Sequence, residues 1–145
     1  MFVVVLFNMS NIGFFYHTAF VLANEAALQK WLKAVTGVEK KELLQVEYNF
    51  VDEKEIIKLN QAHLGHNYPT DVLTFDYSSG NQIHAEIFVC EQVVKFNAAE
   101  LNVPFLKELH RVVLHGLLHL LGHNDKTPEE QKNIRLLEDK YLKEL

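Results

Sequence analysis

A chain of 145 residues, 48% hydrophobic and 23% charged, is long enough for one domain, 1–145, with a real core, and its composition excludes a disordered chain. The formal net charge of −5 and a total of two arginines, Arg111 and Arg135, speak against a surface that neutralises a polyanion all over. One cysteine, Cys90, cannot close an internal disulfide, which suits a cytoplasmic chain, and no stretch is long enough to span a bilayer.

The run from Phe2 to Phe7 is β-branched and aromatic, lacks a basic leader and is too short for a signal core, so it reads as a first strand. Leu28, Trp31, Leu32 and Val35 recur at helical spacing, and Gly37 closes that helix. Lys30, Lys33, Lys40 and Lys41 read as its solvated face and terminus. Leu44, Val46, Tyr48 and Phe50 alternate with polar residues, which predicts a half-buried strand. Asp52 with Glu55 three residues on caps a short helix. A polar loop from His63 to Thr70 leads into a strand over Val72–Tyr77, and Ser78-Ser79-Gly80-Asn81 is a turn. Ile87 to Cys90 is continuously apolar and suits a strand buried on both faces; Glu86 beside it is either a solvated strand-end residue or part of a site. A helix runs from about Glu91 to near Asn102, and Pro104 opens the next at its first helical position. The last begins at Thr127-Pro128-Glu129-Glu130, with Ile134, Leu137 and Tyr141 as its core stripe. The sum is a mixed α/β fold of about four strands and five helices.

The chemistry concentrates in His115-Gly116-Leu117-Leu118-His119-Leu120-Leu121-Gly122-His123-Asn124-Asp125. Histidines four apart share a helix face, roughly 5–6 Å between Cβ atoms, close enough to hold one transition-metal ion. His115, His119 and His123 cannot all do so on an unbroken helix, because positions eight apart are separated by roughly 12 Å along the axis. Gly122 is placed to break the helix through a left-handed turn, after which Asp125 returns to face the first two histidines. Asp125 is therefore the expected third ligand and His123 the alternative. Three ligands leave a position for water, the pattern of catalytic zinc sites, and an aspartate in place of a third histidine makes that water somewhat less acidic. Gly116 stands where helical zinc peptidases carry a glutamate base, so the helix supplies none; a peptidase would have to recruit Asp71, Asp76 or Glu86, and the alternative is a metal that acts mainly as Lewis acid and source of hydroxide. His17, His84 and His110 read as ordinary surface or packed histidines. His63 and His66 lie in the loop before Thr70-Asp71, and His66 is a candidate for a substrate role.

This motif resembles that of the YbeY family, bacterial metal-dependent endoribonucleases of ribosome maturation, whose pattern is H-G-x-L-H-L-x-G-Y-D-H. His115, Gly116, Leu118, His119, Leu120 and Gly122 match; His123, Asn124 and Asp125 replace the tyrosine, the aspartate and the third histidine. Leu59-Asn60 followed by Pro69-Thr70-Asp71-Val72-Leu73-Thr74-Phe75 looks like a second family segment, with Leu64 where the family usually carries an arginine implicated in activity. Ala85 to Cys90 looks like the family's third segment, with Glu86 in place of an aspartate. The resemblance implies a zincin-like sheet with the metal helix packed on it and one Zn2+ per chain on His115, His119 and Asp125. It also implies single-strand-specific endoribonuclease activity in maturation of the small-subunit ribosomal RNA 3′ end and in ribosome quality control. Ribosomal RNA and the small ribosomal subunit would be the partners, in the cytoplasm. The alternatives are a zinc metallopeptidase-like hydrolase and a non-catalytic zinc-containing ribosome-assembly factor.

Overall fold

The computed structural model describes residues 11–145, so the strand expected over Phe2–Phe7 lies outside the described residues. Among them the order is β1 (Ile12–Tyr16), α1 (Glu25–Val38), β2 (Glu42–Phe50), α2 (Glu53–Leu64), β3 (Val72–Asp76), β4 (Gln82–Val89), α3 (Glu91–Leu101), α4 (Phe105–Leu120) and α5 (Pro128–Leu142). The four strands form one sheet in the order β1-β2-β4-β3. β1, β2 and β4 run parallel, and β3 closes the edge antiparallel to β4.

The larger core packs α1 and α4 against one face and α5 against α4, through Leu28, Leu32, Val113, Leu117 and Tyr141. α2 covers part of the other face, where Ile56 joins Val51, Leu73 and Cys90, with Phe75 and Phe88 packed against them. Ile87 and Phe88 are thus covered from opposite sides, as their continuous apolar run requires. β1 has no counterpart in the sequence reading: Ile12, Phe14 and Tyr16 supply its inward face.

Local chemistry moves several boundaries. α1 continues past Gly37 to Val38, and Lys40 takes the left-handed conformation at φ 61°. A register shift between Leu43 and Gln45 turns Leu44 out to solvent, so Leu43 packs on the core instead. α2 is a full twelve residues, includes His63, and stops at Gly65, where φ is 70°. β3 ends at Asp76, one residue before Tyr77, and β4 starts well before Ile87. Pro104 precedes the first turn of α4 as its cap. The caps of α2 and α5 are as expected: Asp52 accepts from Glu55 N–H, and Thr127 and Glu130 form a capping box.

Gly116 sets the distance between α4 and the sheet. A Cβ there would lie 3.1 Å from Ile87 Cγ2 and 3.4 Å from Thr74 Oγ1. The bare backbone lets α4 sit against β3 and β4, and the buried Tyr48 hydroxyl pins it by donating to the Val113 carbonyl at 2.8 Å. Gly116→Val should overpack this contact and cost about 1–3 kcal/mol, read as a lowered urea midpoint with an unchanged slope. A midpoint equal to that of the unsubstituted chain would show that the sheet yields freely.

Candidate metal centre

α4 buries its Val112, Val113, Leu117 and Leu120 face and ends where its carbonyls find partners in the following turn. Gly122 takes φ 100°, its N–H donates to the His119 carbonyl at 3.1 Å, and His123 N–H donates to the Leu118 carbonyl at 3.0 Å. Those two bonds are the Schellman pattern, and they reverse the chain. Asp125 Oδ2 then lies 3.2 Å from His115 Nε2 and 3.4 Å from His119 Nε2, while the two Nε2 atoms are 2.9 Å apart. The His123 ring leaves this group and donates to Glu39 Oε1 at 2.7 Å, beside the Tyr141 hydroxyl that bonds the other Glu39 oxygen.

The histidines are oriented from behind. His115 Nδ1 donates to Glu138 Oε2 at 2.6 Å, and His119 Nδ1 donates to the His123 carbonyl at 3.0 Å. With the protons on Nδ1, both Nε2 lone pairs face Asp125, so three electron-pair donors meet with no hydrogen between them. Such a set calls for a cation. Its edges of 2.9, 3.2 and 3.4 Å approach the roughly 3.3 Å separation of ligands in a tetrahedron with bonds of about 2.0 Å. Among the described residues this is the group of side chains able to hold a metal ion. Carboxylate and carbonyl partners on the far ring nitrogens are the usual support of metal-bound histidine.

Glu138 is buried on α5 and also accepts from Arg111 Nη1 at 2.9 Å, while Arg111 Nη2 reaches Asp139 at 2.7 Å. Burial opposes charge on His115, but the Glu138 hydrogen bond and the carboxylates of Glu138, Asp125 and Asp71 outweigh it and raise the His115 pKa. Burial and the neighbouring His115 lower that of His119. The sequence reading did not select Glu138. Its signal was an acid at the inward position between Ile134 and Tyr141 on α5.

Two clefts meet at His115 and Asp125. One, of about 580 Å³, runs along Thr70–Thr74 of the β3 side and takes in His119, Leu64 and Lys126. The other, of about 330 Å³, is walled by Glu108, Arg111 and Arg135. Asp71 lines both, and burial raises its pKa against the lowering effect of His115. Glu86 is elsewhere: Ile87 meets α4 at Gly116, so its sheet neighbour points to the opposite face, where Glu86 accepts from the Tyr77 hydroxyl at 2.9 Å. His17 pairs with Asn49, and His63 packs on Phe75.

The family described as Endoribonuclease YbeY matches residues 17–145. An Endoribonuclease YbeY of Flavobacterium johnsoniae is 41% identical over 131 residues, which span 90% of this chain and 94% of that relative. One of Bacteroides fragilis is 39% identical over 113 residues, 78% of this chain and 81% of the relative. The solution structure of TM1509 from Thermotoga maritima superposes with a TM-score of 0.68 at 33% identity, covering 92% of this chain and 87% of that one. A match across nearly the whole chain, on a sheet and helix arrangement shared with a solved structure, makes this chain a member of the YbeY family.

Proposed function

We propose that this chain is a metal-dependent endoribonuclease that cuts unpaired RNA, with His115, His119 and Asp125 holding one zinc ion. The observation that carries it is the meeting of those three ligand atoms in a chain whose relatives are named endoribonucleases. Its substrate is ribosomal RNA, its setting small-subunit maturation in the cytoplasm, and no described helix is long and apolar enough to cross a membrane.

Zinc held by His115, His119 and Asp125 would supply Lewis acidity and would activate water for attack. The chain's own residues do the rest. Glu138 and the His123 carbonyl hold both imidazoles in the tautomer that presents Nε2. Lys126, on the wall of the larger cleft, meets the negative phosphodiester as charge builds in the transition state. Asp71 lines the same cleft; it takes the proton released as water attacks phosphorus and returns it to the leaving oxygen of the P–O bond that breaks, since Gly116 gives α4 no base of its own.

The test is cleavage of a labelled RNA carrying a hairpin and a single-stranded tail. Cuts in the tail and the hairpin loop but not in the paired stem, lost on chelation and restored by added zinc, are expected. Equal cutting after chelation and in Asp125→Ala would contradict the proposal.

A further inference from the structure

The larger cleft has an apolar end. Leu64, 57% exposed, lines it together with the buried Leu73 and Leu120. The loop that follows carries two exposed rings, His66 and Tyr68, with centroids 5.1 Å apart and planes inclined by 12°. The backbone beneath them is pinned to the buried Asn60. Its Nδ2 donates to the Tyr68 carbonyl at 3.0 Å, and its main-chain carbonyl accepts from His66 N–H at 3.4 Å. Gly65 makes the turn at φ 70°. Tyr68 therefore stays 55% exposed on a fixed support instead of folding into the core. Two residues on, Thr70 and then Asp71 line the cleft that holds His115 and His119.

Charge gives this platform a purpose. The chain carries a net −5, and Lys126 is the single lysine or arginine among the residues lining this cleft. Phosphate neutralisation alone supplies little affinity for a polyanion here. Stacking on an exposed ring supplies affinity without charge and accepts any base, provided the base is unpaired.

We propose that the loop between α2 and β3 is a base-stacking subsite, on which an unpaired RNA base lies against the Tyr68–His66 ring pair while the strand continues into the cleft toward His115, His119 and Asp125. This rests on the RNA-cleaving reading above. It explains selection for single strands by a different route from the metal chemistry: a base inside a duplex has no free face to offer the ring. Because few phosphates are neutralised, binding depends only weakly on salt.

The experiment is fluorescence anisotropy of a short labelled oligoadenylate with the full chain, in the cold, with strand integrity checked on a gel. Tyr68→Ala should weaken binding by about 10-fold, while Tyr68→Phe keeps it. An oligonucleotide with abasic positions should bind the unsubstituted chain more weakly and be indifferent to Tyr68→Ala. Far-UV circular dichroism checks that the surface variants fold. Failure of the unsubstituted chain to bind any single strand would remove the RNA reading and this subsite together. Binding that Tyr68→Ala leaves unchanged would overturn the subsite alone. A loss as large in Tyr68→Phe as in Tyr68→Ala would overturn stacking in favour of a hydroxyl contact.

Discussion

His115→Ala leaves a folded chain that retains no stoichiometric metal and cuts RNA at a rate lower by roughly 10³-fold or more, the scale expected when a principal stabiliser of transition-state charge is removed. The size of the effect follows from geometry. His115 Nε2 belongs to both short edges of the ligand triangle, 2.9 Å to His119 and 3.2 Å to Asp125, so its loss leaves a histidine and a carboxylate 3.4 Å apart with no third donor. The variant also frees Glu138 from one partner, yet Arg111 still holds that carboxylate, which is why folding survives. Circular dichroism, metal content and cleavage rate together check this. The same site gives a pH dependence. Metal and proton compete for His115 Nε2, and the Glu138, Asp125 and Asp71 carboxylates favour the proton. Metal occupancy should therefore fall as pH is lowered, followed by metal release to a chromogenic chelator. Occupancy unchanged into the acid range would argue against histidine ligation.

Glu138→Ala has the other large effect, and it reaches stability as well as the site. Glu138 is 3% exposed and joins α5 to α4 through Arg111 and His115. Removing it leaves the Arg111 guanidinium partly buried with Asp139 alone, and breaking such a buried pair costs about 3–5 kcal/mol. The lower end applies here because Asp139 remains and lies at the surface. The loss of the carboxylate behind His115 should also weaken metal binding by about 10–100-fold. Glu138→Gln keeps the volume and one hydrogen bond, so it should fold better than the alanine variant while still binding metal more weakly. Urea titration of both variants, beside zinc competition against a chelator, separates the two effects. A Gln variant with unchanged zinc affinity would make Glu138 a packing residue.

Much of this was legible in the chain itself, because the relevant physics is local. A three-ligand site on two histidines of one helix needs a break before the third, and Gly122 marks it. The same reasoning sent His123 away from the group, where the structure has it bound to Glu39. Helix starts were readable at Asp52 and Thr127 because a capping side chain and its partner lie within a few residues. What was not legible depends on distant parts of the chain. The partner of His115 is on α5, 23 positions away in sequence, and the partner of His123 is at the end of α1, 84 positions away. Neither pairing has a spacing rule. The bulge that exposes Leu44 arises from pairing with β4, so the alternation of β2 alone points to the wrong face for that residue. Glu86 remained open between two roles until the contact of Ile87 with Gly116 fixed which face it takes.

The turn after α4 delivers Asp125, and not His123, to the two helical histidines. Elemental analysis of the purified chain beside Asp125→Ala and His123→Ala tests it most directly. About one zinc per chain is expected in the unsubstituted protein and in His123→Ala, with most of it lost in Asp125→Ala. Zinc retained in Asp125→Ala and lost in His123→Ala would contradict this.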